Sequence, residues 1–137
     1  MGTSIKEVMT RDVRACEPNA TVVEAAKVMA QNDVGPVPIV EDGRLVGIVT
    51  DRDIVVRVVA DGRDPNVTTV KEIASTNLVT VSPEDDLDEA LNLLAEHQVR
   101  RLPVVESDRL VGIVAQADVA RLGKDKKTGE VVEEISR

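Results

Sequence analysis

The sequence predicts a mixed α/β (α+β) fold that consists of two copies of one β-α-β-β-α motif. The main observation is a duplication, because residues 38–49 reappear as residues 103–114, at an offset of 65 positions (103 minus 38). Each copy also has one stretch with the apolar spacing of a helix, followed by two Val-rich stretches around a tight turn. An internal repeat of this length predicts two similar structural units.

The repeat extends over most of the chain without a gap. At the same offset Lys6 aligns with Lys71, and Asp53 aligns with Asp118. Residues 60–69 contain turn-forming Gly and Pro residues and connect the two copies. The predicted division is a first domain over residues 1–62, a second domain over residues 67–123, and a charged tail over residues 124–137.

Each copy is expected to begin with a short strand that runs into a proline, and a helix follows. The predicted strands cover residues 13–16 and 78–81. Thr21 and Glu24 form a capping box at the start of the first helix, and Asp86 caps its counterpart, with Glu89 three residues on. Behind each cap the apolar residues recur at i, i+3, i+4 and i+7, which predicts one buried face. These residues are Val22, Ala25, Ala26 and Met29 in copy one, and Leu87, Ala90, Leu91 and Leu94 in copy two.

A β-hairpin and a second helix complete each copy. In copy one the hairpin turn is Asp42-Gly43, a pair that favours the two-residue turns of antiparallel hairpins. The predicted strands cover residues 37–40 and 44–50 in copy one, and residues 102–105 and 109–115 in copy two. The second helix is predicted near residues 51–59 and 116–122.

The composition argues against several classes of function. The chain has no Phe, Tyr or Trp and a net charge of −8, whereas a nucleic-acid interface needs a basic patch and stacking side chains. Cys16 is the one cysteine, so no intrachain disulfide can form. We find no signal-peptide pattern and no apolar stretch approaching the roughly 20 residues of a membrane span. We therefore expect a cytoplasmic protein that binds neither nucleic acid nor a membrane.

The junction of strand and helix at residues 47–54 is the candidate binding site. A helix start offers free N–H groups and the positive end of the helix dipole, both of which suit a phosphate, and the hydroxyl of Thr50 lies there. The carboxylate of Asp53 can accept two hydrogen bonds from the vicinal hydroxyls of a ribose. Thr50 and Asp53 also fit a helix capping box, and the two interpretations are compatible.

The second copy carries a different set of residues at the matching junction. Ala115 replaces the threonine hydroxyl, whereas Asp118 keeps the carboxylate, so two sites built this way would be unequal. Arg100 and Arg101 lie between the helix and the strand of copy two, and the donor fork of arginine suits phosphate. Cations after a helix C-terminus also favour its dipole, so the residues alone leave both interpretations open.

No residue pattern indicates catalysis or a metal site. His97 is the one histidine and has no His, Cys or carboxylate partners at the spacing of metal ligands. Cys16 lies on an apolar stretch, which is typical of a small buried residue. The chain lacks a nucleophile–base pair and a Walker-type phosphate loop. We predict no catalytic residues and no metal ligands.

The duplicated motifs closely resemble the CBS domain family in its paired form, the Bateman module. The motifs that carry the resemblance are Val8-Met9-Thr10, Val37-Pro38-Ile39-Val40 and residues 45–54, each with its counterpart in the second copy. The resemblance extends to about Gly123. Residues 97–103 are also similar to those of the small stand-alone CBS-pair proteins that include the hypoxic response proteins.

The resemblance implies two CBS motifs packed about a pseudo-twofold axis, with two clefts that take AMP, ADP, ATP or S-adenosylmethionine. In the first cleft it implies Asp53 on the ribose, Thr50 on a phosphate, Ala74 and Val99 at the adenine, and Arg100 or Arg101 at the phosphates. In a second, weaker cleft it implies Met9, Gly35 and Asp118. That cleft lacks the hydroxyl at Ala115 and both arginines, since Gly35 and Pro36 stand at the matching positions.

The resemblance also implies what the protein does. We expect a non-catalytic regulatory module that requires no cofactor, forms a homodimer and acts on a downstream protein that the sequence does not identify. The alternative is a structural or protein-interaction module that binds no ligand.

Overall fold

The computed structural model describes residues 2–120, and it confirms the predicted mixture of helices and strands. The chain forms two compact units, and neither follows the sequence repeat. We call residues 14–78 and 108–110 the first unit, and residues 2–13, 79–107 and 111–120 the second unit. Each unit therefore takes its leading segment from the other repeat. The predicted domain limits, which follow the repeat, stay a prediction.

The first unit begins with helix α1 (Val22–Asn32), which confirms the first predicted helix. The Glu24 N–H donates to the Thr21 hydroxyl at 3.2 Å, and the Thr21 N–H donates to the Glu24 carboxylate at 3.1 Å. This is the predicted capping box, which satisfies N–H groups that have no partner inside the helix. The helix ends at Asp33 in a left-handed conformation.

The hairpin of the first unit consists of β1 (Pro36–Glu41) and β2 (Arg44–Thr50), which pair antiparallel. Asp42 and Gly43 both have positive φ, at 54° and 83°, as a two-residue turn between twisted strands requires. Residues 108–110 belong to this unit because the Leu45 N–H donates to the Asp108 carbonyl, and the Leu110 N–H donates to the Gly43 carbonyl.

Two short helical segments follow β2. Helix α2 (Asp51–Ile54) begins directly after the strand and continues into a π-helical turn, Val55–Val59. Helix α3 (Val70–Ile73) was not predicted, and it starts with a capping box between Thr69 and Glu72. Hydrogen bonds from the Thr69 backbone and hydroxyl, with a smaller effect of Arg63, hold the pKa of the Glu72 carboxyl below its usual range.

The second unit has the matching elements. It contains a 3₁₀ turn (Ile5–Glu7), helix α4 (Leu87–His97), strand β3 (Arg101–Glu106) and strand β4 (Arg109–Ala115), whose first two residues belong to the first unit. Asp86 caps α4, as predicted, by accepting the Asp88 N–H at 3.0 Å. Residues 116–120 are helical, in agreement with the predicted second helix. The end of that predicted helix and the tail at residues 124–137 lie outside the described residues.

The predicted strands at residues 13–16 and 78–81 are each reduced to one bridging residue. The Cys16 N–H donates to the Pro38 carbonyl, and the Val40 N–H donates to the Cys16 carbonyl. The next bond of such a parallel ladder would need an N–H at Pro18, and proline has none. Beside β3 the Val81 N–H likewise donates to the Pro103 carbonyl, and the Val105 N–H donates to the Val81 carbonyl. Pro83 stands two residues after Val81, as Pro18 does after Cys16.

Aliphatic side chains fill the core of each unit. Ile39 and Val49 of the hairpin lie in the first core together with Ile73, which comes from the second repeat. Ile5, from the first repeat, lies in the second core beside Leu102. No helix among the described residues is both long enough and apolar enough to cross a membrane.

Candidate functional site

Thr50 and Asp53 form a reciprocal capping box where β2 passes into α2. The Thr50 N–H donates to Asp53 Oδ2 at 2.8 Å, and the Asp53 N–H donates to the Thr50 hydroxyl oxygen at 3.1 Å. The capping interpretation of these two residues is therefore confirmed. A carboxylate has about four lone-pair sites, and a hydroxyl keeps its own donor and a second lone pair. The box consequently leaves hydrogen-bonding capacity on both side chains for a ligand.

Ala74 lies beside the same strand. The Ile48 N–H donates to the Ser75 carbonyl at 3.0 Å, and the Ser75 N–H donates to the Ile48 carbonyl at 2.9 Å. A Cβ atom at Gly47 would stand 3.3 Å from the Ser75 carbonyl oxygen and 3.6 Å from the Ala74 Cβ. Glycine therefore allows this segment to approach β2 closely, three residues before Thr50.

We call Thr50, Asp53 and Ala74 the Asp53 half-site, because the structure places all three in the first unit. Gly35, which was predicted for the second cleft, lies in this unit as well, and its carbonyl accepts the Asp51 N–H at 3.1 Å.

The second unit contains a matching arrangement, which we call the Asp118 half-site: Met9, Ala115 and Asp118. The Ala115 N–H donates to Asp118 Oδ2 at 2.8 Å, and Asp118 is buried. Thr10 and Ile113 exchange backbone hydrogen bonds, and the Met9 sulfur would stand 2.7 Å from a Cβ at Gly112. Gly112 thus occupies in this unit the position that Gly47 occupies in the first.

Val99, Arg100 and Arg101 also lie in the second unit, at the start of β3. The Arg100 carbonyl accepts the Gln116 N–H at 2.9 Å, and the Val99 and Arg100 side chains are exposed. The predicted first cleft therefore draws three residues from each unit, and its assembly stays a prediction.

Sequence reasoning missed two features of the half-sites. Gly47 and Gly112 allow the neighbouring segments to approach the strands closely. The sequence signal for this role was that both repeats have a glycine at the same position. Arg57 stands four residues after Asp53, and its Nε lies 4.0 Å from Asp53 Oδ1. The i,i+4 spacing of opposite charges was the signal for this ion pair.

Cys16 is buried and free, and it borders a cavity of about 640 Å³ in the first unit. Burial, with a smaller effect of Glu24, raises the pKa of its thiol. The thiol therefore stays protonated at neutral pH, as expected for a structural cysteine. Within residues 2–120, no group of three His, Cys, Asp or Glu side chains is arranged to hold a metal ion.

Comparison with known proteins gives consistent matches over nearly the whole chain. The model of the CBS domain family matches residues 5–60 and residues 70–125. The CBS domain-containing protein YhcV of Bacillus subtilis (strain 168) is 49% identical over 118 residues, which cover 86% of this chain and 84% of that protein. Hypoxic response protein 1 of Mycobacterium tuberculosis is 42% identical over 120 residues, covering 87% of this chain and 84% of that protein.

Two solved structures are similar along most of their length. The structure of hypoxic response protein I with two coordinated zinc ions has a TM-score of 0.79 at 42% identity, and the match covers 88% of this chain and 98% of that one. The CBS domain pair of protein MJ0100, in complex with 5′-methylthioadenosine and S-adenosylmethionine, has a TM-score of 0.79 at 29% identity. That match covers 93% of this chain and 100% of the other.

Proposed function

The chain belongs to the CBS domain family, and on that premise we propose that it is a regulatory module that binds an adenosyl ligand and catalyses no reaction. The observation that carries the proposal is the Asp53 half-site. Its carboxylate and hydroxyl are fixed at a strand–helix junction by the capping box, and both keep capacity for further hydrogen bonds. The MJ0100 pair, which has the same fold, is described in complex with two adenosyl compounds.

Each residue of the proposed first cleft has a chemical role. Asp53 accepts the ribose hydroxyls, and Thr50 donates to a phosphate. Ala74 and Val99 contact the adenine, and Arg100 or Arg101 reaches the phosphates. We propose a weaker second cleft with Met9, Gly35 and Asp118, because Ala115 has no hydroxyl to offer there. The ligand classes are AMP, ADP, ATP and S-adenosylmethionine, and the module requires no other cofactor.

Ligand-induced stabilisation tests this proposal directly. We expect AMP, ATP or S-adenosylmethionine to raise the thermal midpoint of the full chain, because a ligand that binds the folded state alone stabilises it. At 100 times the dissociation constant the gain is about 2.7 kcal/mol. The measurement is circular dichroism melting with each ligand. The chain has no Phe, Tyr or Trp, so an adenine absorption band on the purified protein would also reveal a ligand that co-purifies.

GTP and free ribose 5-phosphate are the controls for general anion effects. A melting curve that none of the three adenosyl ligands moves, together with no co-purified adenine, would contradict the proposal. The alternative of a structural or protein-interaction module without a ligand would then be preferred.

We also propose that the chain forms a homodimer through an apolar helical surface of the first unit. Val55, Val56 and Val59 are 58%, 47% and 67% exposed, and all three lie on the same π-helical turn. The two Asp and two Arg of residues 51–59 cancel, so this surface can meet its own copy without the repulsion expected from a chain of net charge −8. A second copy is the partner that presents the same surface, as in a two-fold symmetric interface.

Replacing Val55 and Val59 with Asp is expected to convert the dimer into a monomer, because each copy would bury two unpaired carboxylates. Sedimentation velocity measures the change. Val67→Asp is the matched control, since Val67 is 72% exposed but lies outside the 55–59 turn. A double variant that keeps the mass of a dimer would show that another surface joins the copies, and a monomeric parent chain would refute the dimer itself.

A further inference from the structure

Arg57 lies beside the oxygen of Asp53 that the capping box leaves free. Asp53 Oδ2 accepts the Thr50 N–H, whereas Asp53 Oδ1 faces the Nε of Arg57 at 4.0 Å. The Asp53 side chain is 18% exposed and that of Arg57 is 56% exposed. The carboxylate thus accepts a backbone hydrogen bond at one oxygen and has a nearby cation at the other.

An arginine stands at this position in the first repeat and not in the second. The residue at the matching position of the second repeat is Leu122, 65 positions further on (57 plus 65), which lies outside the described residues. The two repeats keep the aspartate at positions 53 and 118 but differ in the residue four positions later.

The consequence is electrostatic. Residues 51–59 carry Asp51, Arg52, Asp53 and Arg57, whose charges sum to zero, whereas the whole chain carries −8. Without Arg57 the carboxylate of Asp53 would lose this nearby positive charge, and the negative charge next to the position proposed for the ligand would no longer be offset. A negative site repels the phosphate of a nucleotide and attracts the sulfonium of S-adenosylmethionine, and the effect weakens with distance and with salt.

We propose that Arg57 is a specificity-determining residue that offsets the charge of Asp53. It shifts the preference of the Asp53 half-site toward adenosine ligands that carry phosphate and away from those that carry a cationic sulfonium. Arg57 acts through its charge beside Asp53, and the inference rests on the proposed adenosyl-binding function.

Three ligands of different charge separate this role from a merely structural one. AMP is anionic, 5′-methylthioadenosine is neutral and S-adenosylmethionine is cationic, while all three share the adenosine group. Calorimetric titration of the full chain gives the affinity of each. We expect Arg57→Gln and Arg57→Leu to lower the ratio of AMP affinity to methylthioadenosine affinity by about three- to tenfold, and to raise that of S-adenosylmethionine.

Two matched variants show whether the charge at position 57 causes the change in the affinity ratios. Arg57→Lys keeps the positive charge and should retain the parent ratios. Arg52→Gln makes the same change of charge on the same helical segment but leaves the Arg57–Asp53 pair in place, and it should alter the ratios less than about twofold. The shift caused by Arg57→Gln should also shrink in high salt, because screening weakens interactions between exposed charges.

An unchanged AMP-to-methylthioadenosine ratio in Arg57→Gln would overturn the role of Arg57, and so would an equal shift in Arg52→Gln. Either result leaves the proposed function intact as long as the parent chain binds these ligands. A parent chain that binds none of the three would overturn both proposals together. A parallel melting curve of each variant establishes that the comparison is made between folded proteins.

Discussion

Asp53→Ala is expected to weaken binding of every adenosyl ligand by more than about 100-fold. The carboxylate would lose two charge-assisted hydrogen bonds to the ribose, each contributing about 1.5–3 kcal/mol, and about 1.4 kcal/mol corresponds to a tenfold change in affinity. Calorimetric titration with AMP and S-adenosylmethionine measures the loss. The neighbouring ion pair with Arg57 and the hydrogen bond from the Thr50 N–H are lost as well, which calls for a structural control.

Glu24→Ala provides that control, because Thr21 and Glu24 form a capping box of the same form in the same unit. Glu24 and Asp53 each stand three residues after a threonine, and each accepts the N–H of that threonine. Loss of either capping interaction should cost about 1 kcal/mol of stability. Only Asp53→Ala should also abolish binding. Equal binding by the two variants would contradict the ribose role of Asp53 and leave it as a helix cap.

Ile73→Ala is expected to produce a large loss of stability, about 2–5 kcal/mol, because it leaves a cavity in a packed core. Ile73 is fully buried, and it lies in the first core although its sequence belongs to the second repeat. Urea denaturation followed by circular dichroism gives the free energy of unfolding. The variant therefore tests whether helix α3 is an integral part of the first unit.

Two further variants make the result specific. Val67→Ala shortens a side chain that is largely exposed, and it should change the unfolding free energy by less than about 0.5 kcal/mol. Ile5→Ala removes the fully buried residue of the segment that enters the second core, and it should cost as much as Ile73→Ala. A loss below about 1 kcal/mol for Ile73→Ala would mean that α3 does not pack as the structure shows.

Local signals in the sequence predicted much of the fold correctly. The capping residues Thr21 and Asp86 mark the starts of α1 and α4, and Asp42-Gly43 occupies the turn of the first hairpin. The reason is that a cap or a tight turn depends on neighbours within four residues, and both are therefore visible in one sequence. The Thr50–Asp53 box was found in the same way.

Other features depended on contacts that a local pattern does not contain. The apolar stretches at residues 13–16 and 78–81 were predicted as strands, but the ladder at each stops after one residue because proline follows. The ion pair of Arg57 with Asp53 follows an i,i+4 spacing that is common among exposed charges and carries little weight by itself. The Arg57–Asp53 ion pair matters for function because of the ribose-binding role proposed for Asp53.

The sequence by itself determined the duplication, the first helix and the hairpin of each copy, and the two aspartates at the helix starts. The tertiary structure decided which segments share a core. Ile5 and Val70 stand at matching repeat positions and are both fully buried, yet each packs with the other repeat's hairpin. Hydrophobic burial is non-directional, so the apolar composition of two similar segments does not indicate which of the two cores each segment enters. The exchange that brings Ala74 beside Gly47, and Met9 beside Gly112, is therefore a property of the packed chain.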